Sequence, residues 1–162
     1  MPDIRIVPAT ERDVPVLLEL IRGLADYERL SHEVEATEDR LRSTLFGKRP
    51  AAEALLAYDD TECVGFALFF TNYSTFLAKP GLYLEDLFVV PHARRRGIGL
   101  QILKRLAAIA EERDYGRMNW SVLDWNKPAI DFYKKLGAEV MDDWRTCRVT
   151  RDGIVDLVHR VD

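Results

Sequence analysis

The chain has 162 residues, 48% of them hydrophobic and 31% charged, which is typical of a globular domain that buries a core without disulfides. Its 23 basic and 27 acidic residues give a net charge of −4, which argues against binding nucleic acid regardless of sequence. No apolar run has the length of a membrane span, and the sequence does not begin like a secretory leader. Cys63 and Cys147 match no zinc or redox spacing, which suits a reducing compartment. We therefore expect one cytoplasmic domain over residues 1–162.

The N-terminal quarter predicts a strand followed by two helices. Alternating apolar residues indicate a first strand at 3–7. Thr10 is predicted to cap the next helix, with Asp13 completing a weak capping box. One apolar stripe runs along that helix, formed by Val14, Leu17, Leu18, Ile21 and Leu24. Thr37 is predicted to cap a second helix that ends near Gly47.

The middle of the chain predicts a hairpin and then a longer strand. Two β-type runs, 54–58 and 64–70, are separated by the polar residues 59–62. Residues 71–81 lack periodicity and contain a Pro–Gly pair, so we expect a loop there. The next strand is predicted over residues 82–90.

A basic, glycine-containing loop follows this strand. Arg94, Gly97 and Gly99 form the pattern R-x-x-G-x-G, and apolar residues then recur at helical spacing to about Arg113. Unpaired N–H groups at a helix start, glycines without a β-carbon and clustered arginines together favour binding of a phosphate. The spacing is neither that of a Walker loop nor that of the dinucleotide fingerprint. From these residues alone, a basic cap on an ordinary strand-to-helix turn is an equally good interpretation.

The C-terminal part predicts a strand at 118–123 and a helix that Asn126 opens and Gly137 ends. Alternating runs at 144–149 and 154–159, joined by a segment containing Asp-Gly, predict a final hairpin. The predicted order is β-α-α-β-β-β-α-β-α-β-β. It indicates an α/β chain with a mixed sheet and helices on both faces.

Several stretches carry a resemblance to a known family. They are Ala25-Asp26-Tyr27-Glu28, Tyr83-Leu84-Glu85-Asp86-Leu87-Phe88-Val89, the R-x-x-G-x-G loop, Trp125-Asn126-Lys127-Pro128 and Asp131-Phe132-Tyr133-Lys134. The chain resembles the GNAT superfamily of N-acetyltransferases, and within it the spermidine/spermine (diamine, thialysine) branch. The resemblance runs from Ile4 to the C-terminus. It implies the GNAT fold, whose central sheet is mixed and mostly antiparallel.

The resemblance implies acetyl-CoA as the co-substrate, with backbone amides of the loop holding its diphosphate. The backbone at 87–89 would pair with the pantetheine arm as an added strand, and an N–H near Phe88 or Val89 would polarise the thioester carbonyl. The implied cofactor contacts are Leu87, Phe88, Val89, Arg94, Arg95, Arg96, Gly97, Ile98, Gly99, Leu100, Asn126 and Tyr133. No metal is expected, because the three histidines lack ligand spacing.

Two residues are implied to be catalytic. Tyr133 resembles the family's proton donor to the leaving thiolate, since a phenol keeps its proton at neutral pH. By pattern alone, a tyrosine packed on the inner face of its helix is the simpler interpretation. Glu85 is implied to contact the amine, directly or as a base acting through water. Glu85 and Asp86 are neighbours on a strand, so we expect their side chains to point to opposite faces.

The implied amine site combines acidic and aromatic side chains, namely Tyr27, Glu28, Glu85, Trp120 and Asp142 or Asp143. This combination suits a polyamine or a lysine analogue such as thialysine through ion pairing and cation–π contact. Two alternatives stay open: acetylation of a protein or peptide, and a non-catalytic acyl-CoA sensor. The family also suggests a homodimer in which each active site borrows residues from its neighbour.

Overall fold

The computed structural model describes residues 3–161, so both ends of the predicted domain lie outside the described residues. The described strands are β1 (Ile4–Pro8), β2 (Glu53–Asp59), β3 (Glu62–Ser74), β4 (Lys79–Val89) and β5 (Met118–Trp120). The described helices are α1 (Val14–Tyr27), α2 (Glu38–Leu45), α3 (Ile98–Glu112), α4 (Lys127–Lys135) and α5 (Arg151–Val158). They divide between two compact units: the first, Met1–Ser121, contains the sheet and α1 to α3, and the second, Val122–Asp162, contains α4 and α5.

The strands form one sheet in the order β1-β2-β3-β4-β5. Neighbours among the first four strands pair antiparallel; short turns join β2 to β3 and β3 to β4, and the connection from β1 to β2 contains α1 and α2. β5 returns through α3 and pairs parallel to β4. Asp60 adopts a left-handed φ of 54° in the tight β2–β3 turn. The predicted mixed, mostly antiparallel sheet is therefore confirmed.

Helices pack on both faces of this sheet, as predicted. Leu17 of α1 and Leu41 of α2 share a buried cluster with Leu56 of β2 and Phe88 of β4. The neighbouring Leu55 faces the other side, because side chains alternate along a strand. α3 covers that second face, where it contacts β1 to β4.

β5 pairs with β4 over a short distance only. The paired residues of β4 are Leu82, Tyr83 and Leu84, opposite Met118–Trp120. β4 continues to Val89, so within the described part of the chain its edge from Glu85 onward has no β5 partner. This open edge leads directly to the basic loop.

The loop predicted at residues 71–81 is wrong. β3 continues to Ser74 and β4 already begins at Lys79, and Asn72 pairs with Gly81 across the ladder. A β-carbon at Gly81 would come within 2.7 Å of Asn72 Oδ1 and 3.0 Å of Arg117 O. Glycine is needed here for a close approach inside the sheet, and the tight turn falls instead near Ala78, whose φ is 49°.

The predicted C-terminal hairpin is also wrong. Residues 144–149 form no strand, and Arg151–Val158 is α5. Thr150 caps this helix by accepting a hydrogen bond from the N–H of Gly153 at 3.4 Å. The Asp-Gly pair is therefore part of a capped first turn, where an acidic residue interacts favourably with the helix dipole.

Three helix starts were predicted correctly, whereas Thr10 precedes a short 3₁₀ turn, Glu11–Asp13, and α1 begins only at Val14. Asp13 accepts hydrogen bonds from the N–H and hydroxyl of Thr10, at 2.6 and 2.9 Å, just before α1. Thr37 accepts from the N–H of Arg40 at 3.2 Å and opens α2. Asn126 caps α4 and Gly97 precedes α3. Among the described residues, no helix is long and apolar enough to cross a membrane.

Candidate active site

The loop between β4 and α3 has an unusual backbone. A short 3₁₀ turn, Pro91–Ala93, is followed by Arg95 with a φ of 61° and by Gly97 with a φ of 77°. Both values lie in the left-handed region, which is costly for a residue with a β-carbon such as arginine. The two left-handed residues reverse the chain sharply just before the helix begins.

This loop leaves a run of backbone donors unpaired. The first helical hydrogen bond of α3 joins the Gln101 N–H to the Gly97 carbonyl, at 3.0 Å. In the described part of the chain, the six N–H groups from 95 to 100 donate to no protein acceptor. Unpaired N–H groups at the positive end of a helix dipole are a binding site for anions.

The two glycines leave open space beside these donors. A β-carbon at Gly97 would meet no atom within 4 Å, and one at Gly99 would meet only Leu87 Cδ2, at 4.0 Å. Packing within the protein therefore does not require glycine at position 99. The absence of side chains leaves room for a ligand between the loop and the open edge of β4.

Side chains hold the loop against the rest of the first unit. The guanidinium of Arg96 lies 2.8 Å from the carboxylate of Asp59 at the end of β2. His92 Nε2 lies 2.9 Å from Glu62 Oε1 at the start of β3. Both contacts fix the loop to the β2–β3 hairpin, and the Arg96 charge is paired within the protein.

The three predicted cofactor-binding arginines differ in their surroundings. Arg94 donates from Nε to the Val89 carbonyl at 2.8 Å, and its guanidinium lies 4.5 Å from the centroid of the Tyr27 ring. Arg95 is exposed and makes no hydrogen bond or ion pair with any described residue. Of the three, Arg95 is the arginine whose charge is available to a ligand.

A β-bulge displaces the carboxylates of β4. Asp86 pairs with Leu68 of β3, and Leu84 pairs with the adjacent Phe69, so Glu85 stands outside the register. A bulge interrupts the alternation of side chains along a strand. The expectation that Glu85 and Asp86 point to opposite faces rests on strict alternation, which does not hold here.

The protein environment perturbs two acidic groups near this bulge. Burial, with smaller contributions from the negative charges of Glu85 and Glu28, raises the pKa of Asp86 to about 6. Burial also raises the pKa of Glu28. Asp86 was not among the residues singled out from the sequence, and its only signal was its position beside Glu85.

Polar and aromatic groups at the end of β5 adjoin the same part of the sheet. Trp120 is half-buried and pairs with Leu84. The Oδ1 atom of the neighbouring Asn119 is buried and has no hydrogen-bond partner among the described residues. A buried acceptor without a partner is uncommon. Sequence reasoning did not identify Asn119.

The remaining predicted residues, Asn126, Tyr133 and Asp142, belong to the second unit. Asn126 caps α4 by accepting from the Ala129 N–H at 3.4 Å. Tyr133 is half-buried on α4, with its ring centroid 5.5 Å from that of Phe132. Asp142 is exposed in the segment that follows the helix.

Comparison with known proteins gives consistent matches. The sequence model described as the acetyltransferase (GNAT) family matches residues 17–138. The chain is 37% identical to a thialysine N-epsilon-acetyltransferase of Bos taurus over 97% of this chain and 98% of that protein. It is 35% identical to the L-ornithine N5-acetyltransferase NATA1 of Arabidopsis thaliana over 93% of this chain and 86% of that protein.

A solved structure of similar fold comes from the mobile metagenome of V. cholerae. This integron cassette protein has a TM-score of 0.79 and 26% identity to the chain, and the match covers 99% of each.

Proposed function

Because this chain belongs to the acetyltransferase (GNAT) family, we propose that it transfers the acetyl group of acetyl-CoA directly to a primary amine of a small polyamine or lysine-analogue substrate. The main support for binding of acetyl-CoA is the row of six unpaired N–H groups from 95 to 100, which lies beside open space at two glycines. Such a row fits a diphosphate. The predicted membership of the GNAT family is confirmed by the match over most of the chain.

Acetyl-CoA, when bound, supplies an activated acetyl thioester. The loop amides hold its diphosphate, and Arg95 adds a positive charge that no described residue neutralises. The open edge at 87–89 offers main-chain groups to the extended pantetheine arm. An N–H near Phe88 or Val89 polarises the thioester carbonyl, and Asn126 contacts the cofactor as the family resemblance implies.

The amine is bound and deprotonated by the carboxylates around the bulge. Glu85, which is exposed, attracts the ammonium, and its role as base or as anchor follows from the resemblance. Asp86 is a second candidate for the proton acceptor, because a carboxyl with a raised pKa is a stronger base than an ordinary aspartate. Tyr27, Glu28 and Trp120 supply aromatic and acidic walls.

By the family resemblance, Asp142 is also part of the proposed amine site. Asp142 adds a further negative charge, as the resemblance implies.

Tyr133 gives its proton to the departing thiolate. The support for this role is the match of Asp131-Phe132-Tyr133-Lys134 to the family pattern and the position of Tyr133 on a capped helix. A phenol is a suitable acid because it is protonated at neutral pH.

The names of the relatives favour an amino acid with a side-chain amine. The bovine protein is named for thialysine and the Arabidopsis protein for L-ornithine. Acetylation of a peptide is the alternative enzymatic function, and an acyl-CoA sensor without activity is the alternative of another class. The half-buried carboxylate of Asp86 supports an enzyme over a sensor, because burying such a group lowers stability and carboxyls with perturbed pKa values are concentrated at active sites.

We also propose that the chain acts as a homodimer and as one catalytic domain. Within the described part of the second unit no residue is buried, and Trp144 is 77% exposed. Exposed apolar side chains of this kind fit burial by a second copy. The cytoplasmic location stays a prediction.

One assay tests the proposed activity. Release of free thiol from acetyl-CoA is followed over a panel of L-ornithine, thialysine, spermidine, putrescine and a lysine-containing peptide. We expect the highest kcat/KM with one of the small amines. Preference for the peptide would favour the alternative enzyme, and acetyl-CoA binding without thiol release on any amine would favour the sensor.

A further inference from the structure

Arg94 contacts three separate segments of the proposed active site. It belongs to the loop itself, its Nε donates to the Val89 carbonyl at the end of β4, and its guanidinium lies over the ring of Tyr27, the last residue of α1. The guanidinium is also 5.5 Å from the centroid of the Phe88 ring. One side chain thus spans the cofactor loop, the open strand edge and the helix end that precedes Glu28.

These contacts orient the Arg94 side chain toward the fold. Its half-buried guanidinium makes no ion pair with a described residue and is held by a carbonyl and two aromatic faces. Arginine suits this arrangement, because its planar group stacks on a ring while Nε donates a hydrogen bond in a fixed direction. Lysine cannot do both.

The loop needs such support because its own backbone supplies little. Its six N–H groups from 95 to 100 have no protein partner, and it contains a left-handed arginine. Binding of a ligand through these groups costs less conformational entropy of the loop when the loop is already held in place. Loss of one of the contacts that hold the loop should therefore weaken binding at the loop.

We infer that Arg94 is a positioning residue that couples the amine end of the site to the coenzyme A loop through its stack on Tyr27. The inference rests on the proposed function for the identity of the ligand. It reassigns Arg94, whose side chain acts on the loop and not on a phosphate. It also makes Tyr27 matter for coenzyme A affinity in the absence of any amine.

The test measures coenzyme A affinity by calorimetry without an amine, for Tyr27→Leu, Tyr27→Phe and Arg94→Lys. We expect Tyr27→Leu to weaken binding by about three- to tenfold, the size of a partly desolvated cation–π contact. Tyr27→Phe keeps the ring and should bind within about twofold of wild type. Arg94→Lys keeps the charge and should still weaken binding, and the double variant Tyr27→Leu/Arg94→Lys should be no weaker than the worse single variant.

A second readout uses the free protein. Amide hydrogen exchange is followed at Val90, Ala93 and Gln101, whose N–H groups donate to Val64, Val90 and Gly97 around the loop. Exchange should accelerate in Tyr27→Leu and in Arg94→Lys. It should not change in Arg105→Met, because Arg105 is a half-buried arginine of α3 that pairs with Glu112 and makes no contact with the loop.

Equal coenzyme A affinity in Tyr27→Leu and wild type would overturn the inference. A further variant, Arg94→Met, removes the charge, and loss of affinity in it with full retention in Arg94→Lys would also overturn the inference. The latter result would make Arg94 a direct phosphate ligand. If the wild-type protein bound no coenzyme A, the proposed function would fail, and the exchange rates would still decide whether the stack holds the loop.

Discussion

The guanidinium of Arg96 and the carboxylate of Asp59 form an ion pair 2.8 Å long that joins the loop before α3 to the end of β2. The side chains are 35% and 24% exposed, so this pair is better shielded from solvent than the other ion pairs of the first unit. Together with the contact between His92 and Glu62, it holds both ends of the loop against the β2–β3 hairpin. Arg95 is left facing solvent in a left-handed conformation.

Arg95→Gly should separate binding from stability. Glycine adopts φ near 61° without strain, so the free energy of unfolding should stay within about 1 kcal/mol of wild type. Coenzyme A affinity should fall by about three- to tenfold, and the loss should shrink at high salt. Calorimetry with coenzyme A and with 3′-dephospho-coenzyme A shows which phosphate Arg95 contacts. Arg95→Lys is the control, and unchanged affinity in Arg95→Gly would remove Arg95 from the site.

Gly99→Ala should make the protein slightly more stable and unable to bind acetyl-CoA well. The added methyl group meets only Leu87 Cδ2, and alanine in a helix is favoured over glycine by roughly 0.5–1 kcal/mol. The same methyl group occupies the space that the diphosphate needs, so affinity should fall at least about tenfold. Thermal unfolding and calorimetry give the two values, and wild-type affinity in this variant would place the diphosphate elsewhere. Gly97 is less informative, because its φ of 77° strains any replacement.

Asp86→Asn should reveal the buried carboxyl through the pH dependence of stability. Between about pH 4 and pH 6 the folded chain holds a proton that the unfolded chain has released, so the wild-type free energy of unfolding falls as pH rises. Because asparagine does not titrate, the free energy of unfolding of the Asp86→Asn variant should not fall in this way. We expect it to be more stable than wild type above pH 6, by on the order of 2 kcal/mol, and no more stable at pH 4. Urea unfolding at several pH values measures the difference.

The same carboxyl should appear in the kinetics. If Asp86 accepts the amine proton, kcat/KM rises with pH through an apparent pKa of about 6. Asp86→Asn should abolish this rising limb of the pH profile. Glu85→Gln should raise the KM for the amine and move the limb to lower pH, because one repelling charge is removed. A limb that disappears in Glu85→Gln and persists in Asp86→Asn would assign the base to Glu85.

Tyr133→Phe should lower turnover by about 100-fold while acetyl-CoA affinity is retained, since only the acidic proton is lost. Tyr73→Phe is the matched control, because Tyr73 is an exposed tyrosine of β3 outside the proposed site. Steady-state kinetics and calorimetry supply the two readouts. Turnover equal to that of wild type would exclude Tyr133 from the chemistry.

Local signals were sufficient for much of the fold. Caps at Thr37 and Asn126 and the glycine before α3 mark helix starts through interactions within four residues, so the sequence predicts them directly. The R-x-x-G-x-G pattern also located the loop with unpaired N–H groups, because those groups follow from the start of a helix.

The remaining features depend on partners distant in sequence. The bulge at Glu85 exists only through its pairing with Leu68 and Phe69 of β3, and the orientation of Arg94 depends on Tyr27. The Asp-Gly pair near the C-terminus fits a hairpin turn as well as a helix start, and the cap from Thr150 decides between them. The family resemblance supplied Glu85, and only the structure identified Asp86 as the more buried carboxylate with a raised pKa.

The short pairing of β5 with β4 also sets a length. From Glu85 to Val89 five residues of strand edge are open, which at the usual rise per residue is roughly 16 Å. A slender extended molecule anchored at the loop can run along this edge. The distance from the anchor to the bulge thus fixes where the far end of such a molecule stops, which is beside the two carboxylates.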